Sequence, residues 1–479
     1  MHPLDYALFA AYLLALVGVG YYFYRRHRGG EDFFLAGRAL GARHVGFSIA
    51  ATDVGGGFSI GLAGLGFTMG LSASWLLFTG LLGAWLAAVW MIPKVKSREA
   101  SQRFFTYPDL LRHRYGGRVA MVAAAISAIG YLGFTAAQLL AGAKLAANTL
   151  ISPDFSTVEP MNLALWLIGG ATILYTAFGG LKAVIYTDSV QWLILLLGLG
   201  ALALPFALAE IGGLTALFVA LPEGHGSLTQ LAPATALNWL LTITPIWLVA
   251  MTLYQRIYAC RDIRTAKRAW YLAGFLEYPL MAFSGVLLGM CARVLLPEAD
   301  AESAVPIMIR DVLPLGLTGI VIAAYFSAIM STADSCLMAS SGNLLNDLLG
   351  IRDDSPRTVR LSMLFTLSLG LVAILLASKA TSVLDAILMA YGLMVSGLVA
   401  PTLACLFWPR IQAGAAMAAM LVGCVTVTLL MLQWVSLPEP LQRWGLEPSV
   451  YGLALSLLTL GLAHRLSLFR RTDVVEVME

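Results

Sequence analysis

Thirteen stretches of about 20 mostly apolar residues, the length a helix needs to cross a bilayer, leave this chain little choice of fold. They fall at roughly 3–24, 44–66, 72–93, 118–149, 161–179, 186–210, 236–258, 269–296, 311–346, 358–378, 380–407, 412–435 and 449–466. Composition points the same way. Of 479 residues, 59% are hydrophobic and 12% charged, against about 25% charged in a soluble domain. So much apolar surface has nowhere to hide in water. A net charge of +3 offers no basic face for nucleic acid. The expected fold is an all-α integral membrane protein embedded in a lipid bilayer.

Cysteines at 260, 291, 336, 405 and 424 are odd in number and scattered, so neither a disulfide framework nor a CxxC metal site is expected. The six histidines lie outside the span centres, with no two at i, i+4. That leaves little for a haem, zinc or histidine proton relay. No nucleophile–base pair is clustered, and no enzyme activity is expected.

Arg25, Arg26 and Arg28 follow the first span directly, which marks an uncleaved anchor with its basic flank inside. Of the 30 Lys and Arg residues, 25 fall in alternate loops on that same side. The exceptions are Lys144, Arg293, Arg310, Lys379 and Arg443. An N-out, C-in topology follows. The basic run Arg256, Arg261, Arg264, Lys267 and Arg268 is read as part of this topology signal.

Transporters are often inverted repeats, and Gly- or Pro-interrupted spans at matching positions point to them. Span 2 carries Asp53-Val54-Gly55-Gly56-Gly57, and span 7 carries Thr242-Ile243-Thr244-Pro245. Both are poor helix interiors. Five spans counted from each cover 44–210 and 236–407, of nearly equal length and opposite topology. The expected organisation is an extra span and inner loop (1–43), two inverted five-helix repeats, and two peripheral spans with a short tail (412–479).

Ionisable groups inside spans usually face a pathway or a partner. Asp53 precedes the glycine run. Ser327, Ser331 and Ser335 recur at i, i+4, and Asp334 lies on the same face. Hydroxyl, carbonyl and carboxylate oxygens suit a hard cation. Close helix packing through Ser and Thr is the alternative reading. Asp188, near the start of span 6, would converge on Asp334; two such acids need a cation or proton between them. A second cation site of Asp188, Ser331, Asp334 and Ser335 is therefore expected, open between Na⁺ and H⁺. Glu277 reads as a partner for a neighbouring helix. Trp247 and Gln138 are candidates to line a solute site, with packing as the alternative.

Several segments resemble the sodium:solute symporter family. Asp32-Phe33-Phe34-Leu35-Ala36-Gly37-Arg38 is similar to its cytoplasmic motif, and Tyr175–Val184 with Thr187, Asp188 and Gln191 to its signature around the fifth and sixth spans. Gln255-Arg256 and Lys267-Arg268 resemble the loop after the second broken helix, and Ala328-Ile329-Met330-Ser331-Thr332 the sodium-site helix. The resemblance implies a LeuT-type core that couples Na⁺ to uptake of a small organic solute by alternating access. It implies a sodium site of Ala51 and Val54 oxygens, the Ala328 oxygen, and the Ser331 and Thr332 hydroxyls. Asp53 matches an acid of the proline branch. The sugar branch has a Glu-Gln pair where Gly57 and Phe58 stand here.

The solute is expected between the broken helices, near Asp53, Gly55, Gly56, Phe58, Gln138, Trp247 and Thr252. Gly55 and Gly56 would leave space and bare amides for a carboxylate, and Asp53 would take an ammonium or serve coupling. An amino acid such as proline is the expected solute, in a monomer of the bacterial inner membrane. An H⁺-coupled carrier of the same fold and a membrane sensor are the alternatives. The dozen or so residues after span 13 are too few for a signalling domain.

Overall fold

A computed structural model describes residues 2–24, 35–151, 159–351 and 355–476, some side chains excepted. These residues form helices joined by turns, with one isolated parallel bridge between Leu40 and Cys260. Ten helices among them are long and apolar enough to cross a membrane. The pair Pro233–Ile246 and Met251–Ala259, bent by 41°, makes an eleventh. Ser59–Gln102 counts once in that tally although it runs 44 residues. That is about 66 Å if straight, twice a bilayer core. A 3₁₀ turn over Gly70–Ser74 divides it, with Gly70 at φ 62°. The Pro3–Val19 helix is apolar but shorter.

Both expected helix breaks are present. Within Ala42–Met69, Gly55 has φ 39° and ψ 173°, a conformation that L side chains rarely adopt. Pro245 ends the first half of the second broken helix, and the chain turns through Trp247–Ala250 before Met251. The turn expected near 180–185 is tight. Helical bonding runs from Pro160 to Leu195, yet the Tyr175 hydroxyl lies 2.9 Å from Thr187 Oγ1. In a straight helix those residues would be about 18 Å apart along the axis.

The span expected at 311–346 is a single helix, Leu317–Leu348, that starts six residues later than expected. The Ala301–Val312 helix stops ahead of Pro314, and a new helix starts at Leu317 after Gly316. Asp5 Oδ1, from the first helix, accepts the amides of Gly316 and Gly319 at 2.9 Å each and so caps that start.

This serine-rich helix, Leu317–Leu348, is the axis of the fold: 94% of its apolar window is buried, against 28% for Arg357–Ala377 at the rim. It packs on the first broken helix, on Gly117–Thr149 and on Pro160–Leu195. The first broken helix also packs on Ile263–Leu295, almost backbone to backbone. A Cβ at Gly66 would overlap Val286, and one at Gly289 would overlap Ala63. That close crossing fixes the height of Glu277 relative to Asp53.

Candidate functional site

Where the first broken helix meets the serine helix, oxygens gather. Ser331 Oγ donates to the Ala51 carbonyl at 3.0 Å and to the Ala328 carbonyl at 2.8 Å. Thr332 Oγ1 donates to Ala51 at 3.3 Å, to Thr52 at 3.0 Å and to Ala328 at 3.2 Å. Three carbonyls and two hydroxyls thus share one fully buried point. The hydroxyls reach Ala51 and Thr52, while Val54 is the residue just before the Gly55 break. Such neutral oxygens are the donor set a hard monovalent cation takes.

Gly55 and Gly56 do not open space, as the sequence reading has it. A Cβ at Gly55 would strike Thr332, and one at Gly56 would strike Ile329. Their lack of side chains lets the broken helix press onto the serine helix. Gly57 is as crowded, against Ile387 and Gln138; its amide donates to Gln138 Oε1 at 3.0 Å, while the buried Gln138 Nε2 has no acceptor. Thr252 is committed elsewhere. Its hydroxyl bonds Tyr131 at 3.0 Å, and its carbonyl accepts from Arg256 Nη1 at 3.1 Å. The Phe58 side chain lies outside the described residues.

Arg256 is the main surprise. Far from marking a loop, it is wholly buried. Nη2 donates to Asp188 Oδ2 at 3.0 Å, Thr52 Oγ1 at 2.7 Å and Ser335 Oγ at 2.9 Å. Nε donates to Ser48 Oγ at 2.9 Å. The position at which Asp188 and Ser335 were expected to share a cation therefore holds a guanidinium of the chain itself. Ser331 is turned to Ala51 and Ala328 instead. Asp334 stays on the same helix with neither oxygen hydrogen-bonded. Only the helical phase of the short Met251–Ala259 segment, which turns Arg256 inward, could have given this away.

A third group of polar atoms surrounds Gly80. The place a Cβ would occupy there is 3.7 Å from Asp53 Oδ2, 3.7 Å from Trp247 Nε1 and 3.8 Å from Glu277 Oε2. Asp53 and Trp247, both expected at a solute site, are brought together, and Glu277 joins them. Among the described residues, no group of three or more His, Cys, Asp or Glu could hold a metal ion.

The model of the sodium:solute symporter family matches residues 33–423. The chain belongs to that family. It is 26% identical to the high-affinity proline transporter PutP of Bacillus subtilis over 433 residues, covering 86% of this chain and 89% of that one. It is 28% identical to the sodium/pantothenate symporter of Escherichia coli over 475 residues, covering 95% of each. It is also 28% identical to the pig sodium/myo-inositol cotransporter 2, over 88% of this chain and 69% of that one. A substrate-bound, outward-open Na⁺-coupled sialic acid symporter shares the fold, with a TM-score of 0.78 at 20% identity over 97% of this chain and 98% of the other. This sodium:solute symporter is thus a multi-pass membrane transporter that couples sodium to solute, and it is not an enzyme.

Proposed function

We propose that the protein carries a small organic solute inward with Na⁺ by alternating access. The ion is held by the carbonyl oxygens of Ala51, Val54 and Ala328 and the hydroxyls of Ser331 and Thr332. The observation that carries this reading is the convergence of both hydroxyls on carbonyls just before the Gly55 break. Sodium there ties the first broken helix to the serine helix. Its binding favours the state in which those two helices meet. The membrane potential adds roughly 2.3 kcal/mol per charge per 100 mV.

The solute sits beside Asp53, Gln138 and Trp247, between the two breaks. An amino acid such as proline suits an acid facing free N–H donors, and the PutP likeness favours the same class. Thirteen crossings follow if the 42–102 run crosses twice and Pro3–Tyr24 crosses once. N-out orientation rests on the basic residues of alternate loops, and the five-plus-five repeat on the two breaks. The bacterial relatives favour the inner membrane. Arg256 takes the place of a second coupling cation, so one Na⁺ moves per solute.

Proteoliposomes with an imposed Na⁺ gradient should accumulate labelled proline or another amino acid, and an imposed pH gradient alone should not. Accumulation driven by H⁺ without Na⁺ would overturn the reading.

A further inference from the structure

Glu277 is the buried acid that the sequence reads only as a partner for a neighbouring helix. It stands where the Ile263–Leu295 helix loosens into a π turn over Glu277–Ala282, a distortion frequent at functional sites. The residue is wholly buried, and neither Oε1 nor Oε2 has a donor. Its neighbour is another acid. Asp53 Oδ2 and Glu277 Oε2 face one point beside Gly80, 3.7 Å and 3.8 Å from where a Cβ there would lie, and no Lys, Arg or His pairs with either group among the described residues.

Two carboxyl groups that face one largely buried point repel strongly when both are charged, unless a cation or proton lies between them. A proton alone would satisfy the pair, but it would not account for the rest of the site. Trp247, wholly buried in the second break, aims an indole N–H without an acceptor at the same point beside Gly80. Gly83, one turn on, admits that ring: a Cβ there would lie 2.7 Å from the Thr244 carbonyl and 2.8 Å from Trp247 Cγ. Gln138, which accepts from the Gly57 amide four residues after Asp53, holds another unused N–H on the Gly117–Thr149 helix. Asp53, at the break, is the one acid of the pair that is partly open. Two acidic acceptors with the Trp247 N–H beside them fit a ligand with a cationic amine and an acceptor beyond it. An ammonium has three N–H donors, enough for both carboxylates at once.

We propose that Asp53 and Glu277 together receive the protonated amine of the transported solute, displacing a proton that the pair shares when empty. The exchange balances. One proton leaves for water as one ammonium arrives, and the site stays at one net negative charge. The solute class is then an organic amine, and neutral polyols and carboxylates without an amine are excluded. This deepens the solute reading above and leaves the sodium site apart.

The test uses purified full-length protein in detergent at fixed Na⁺, titrated with n-butylammonium, L-proline, pantothenate and myo-inositol. Calorimetry reads binding, and a pH indicator in weak buffer reads protons. Both amines should bind with release of a proton, and the other two compounds should not bind. Glu277→Gln should weaken n-butylammonium roughly ten-fold or more, the size of one charged hydrogen bond. It should also abolish the proton release. The sodium-induced rise in Tm without solute should persist in Glu277→Gln. Amines that fail to bind, bind without releasing a proton, or bind Glu277→Gln as tightly as the native protein would each overturn the proposal. Should Glu277→Gln not fold, proton release by the native protein decides alone. A native protein whose Tm ignores Na⁺ would count against the sodium site only, since the amine arms are read independently.

Discussion

Arg256 Nη2 and Asp188 Oδ2 are 3.0 Å apart, and both side chains are entirely shut away from solvent. Removing one partner of such a pair strands the other charge, which costs about 3–5 kcal/mol. Arg256→Met and Asp188→Leu should each lower Tm in detergent sharply. The double variant should recover part of the loss, because no lone charge remains. A double variant as unstable as the sum of the singles would show that the two residues do not act on each other.

The same guanidinium bears on stoichiometry. With a fixed cation between Asp188 and Ser335, one Na⁺ should accompany each solute. Reversal potentials in proteoliposomes measure that ratio directly. Two Na⁺ per solute would place a mobile ion near Asp334.

Gly56 is held against Ile329 with no room for a methyl group. Gly56→Ala should cost about 1–3 kcal/mol through overpacking and depress uptake. Gly170 has nothing within 4 Å of where a Cβ would lie, so Gly170→Ala should be neutral or slightly stabilising. Tm and uptake measured on both variants would separate a packing role for Gly56 from a general dislike of substitution.

Gln138 ties the break to the Gly117–Thr149 helix through the Gly57 amide. Gln138→Leu leaves that buried N–H unpaired, at about 1–3 kcal/mol. Lower solute affinity with little change in Na⁺ affinity is expected from uptake titrations in both ligands.

The breaks were legible because Gly55-Gly56-Gly57 and Pro245 oppose helix locally, whatever surrounds them. The serine face was legible because Ser327, Ser331 and Ser335 repeat at the helical period. What the glycines do was not. Whether a missing side chain makes a pocket or a close crossing depends on the facing helix, here Thr332 and Ile329. Arg256 looked like a loop residue because it heads a basic run. Its burial follows from the hinge at Trp247–Ala250, which turns the short second half-helix inward. Glu277 was visible as an acid within a span, but that it faces the same point as Asp53 depends on the tight crossing at Gly66 and Gly289. The span expected at 311–346 starts late, at Leu317, because Pro314 and Gly316 separate it from the preceding helix.

Equilibrium binding of ²²Na⁺ to the purified protein in a K⁺ background tests the sodium site most directly, since it needs no solute. The native protein should bind one Na⁺. Ser331→Ala and Thr332→Ala should each weaken that binding roughly ten-fold, the loss of one oxygen ligand in a buried site. Native-like ²²Na⁺ affinity in both variants would contradict the assignment of Ser331 and Thr332 to the ion.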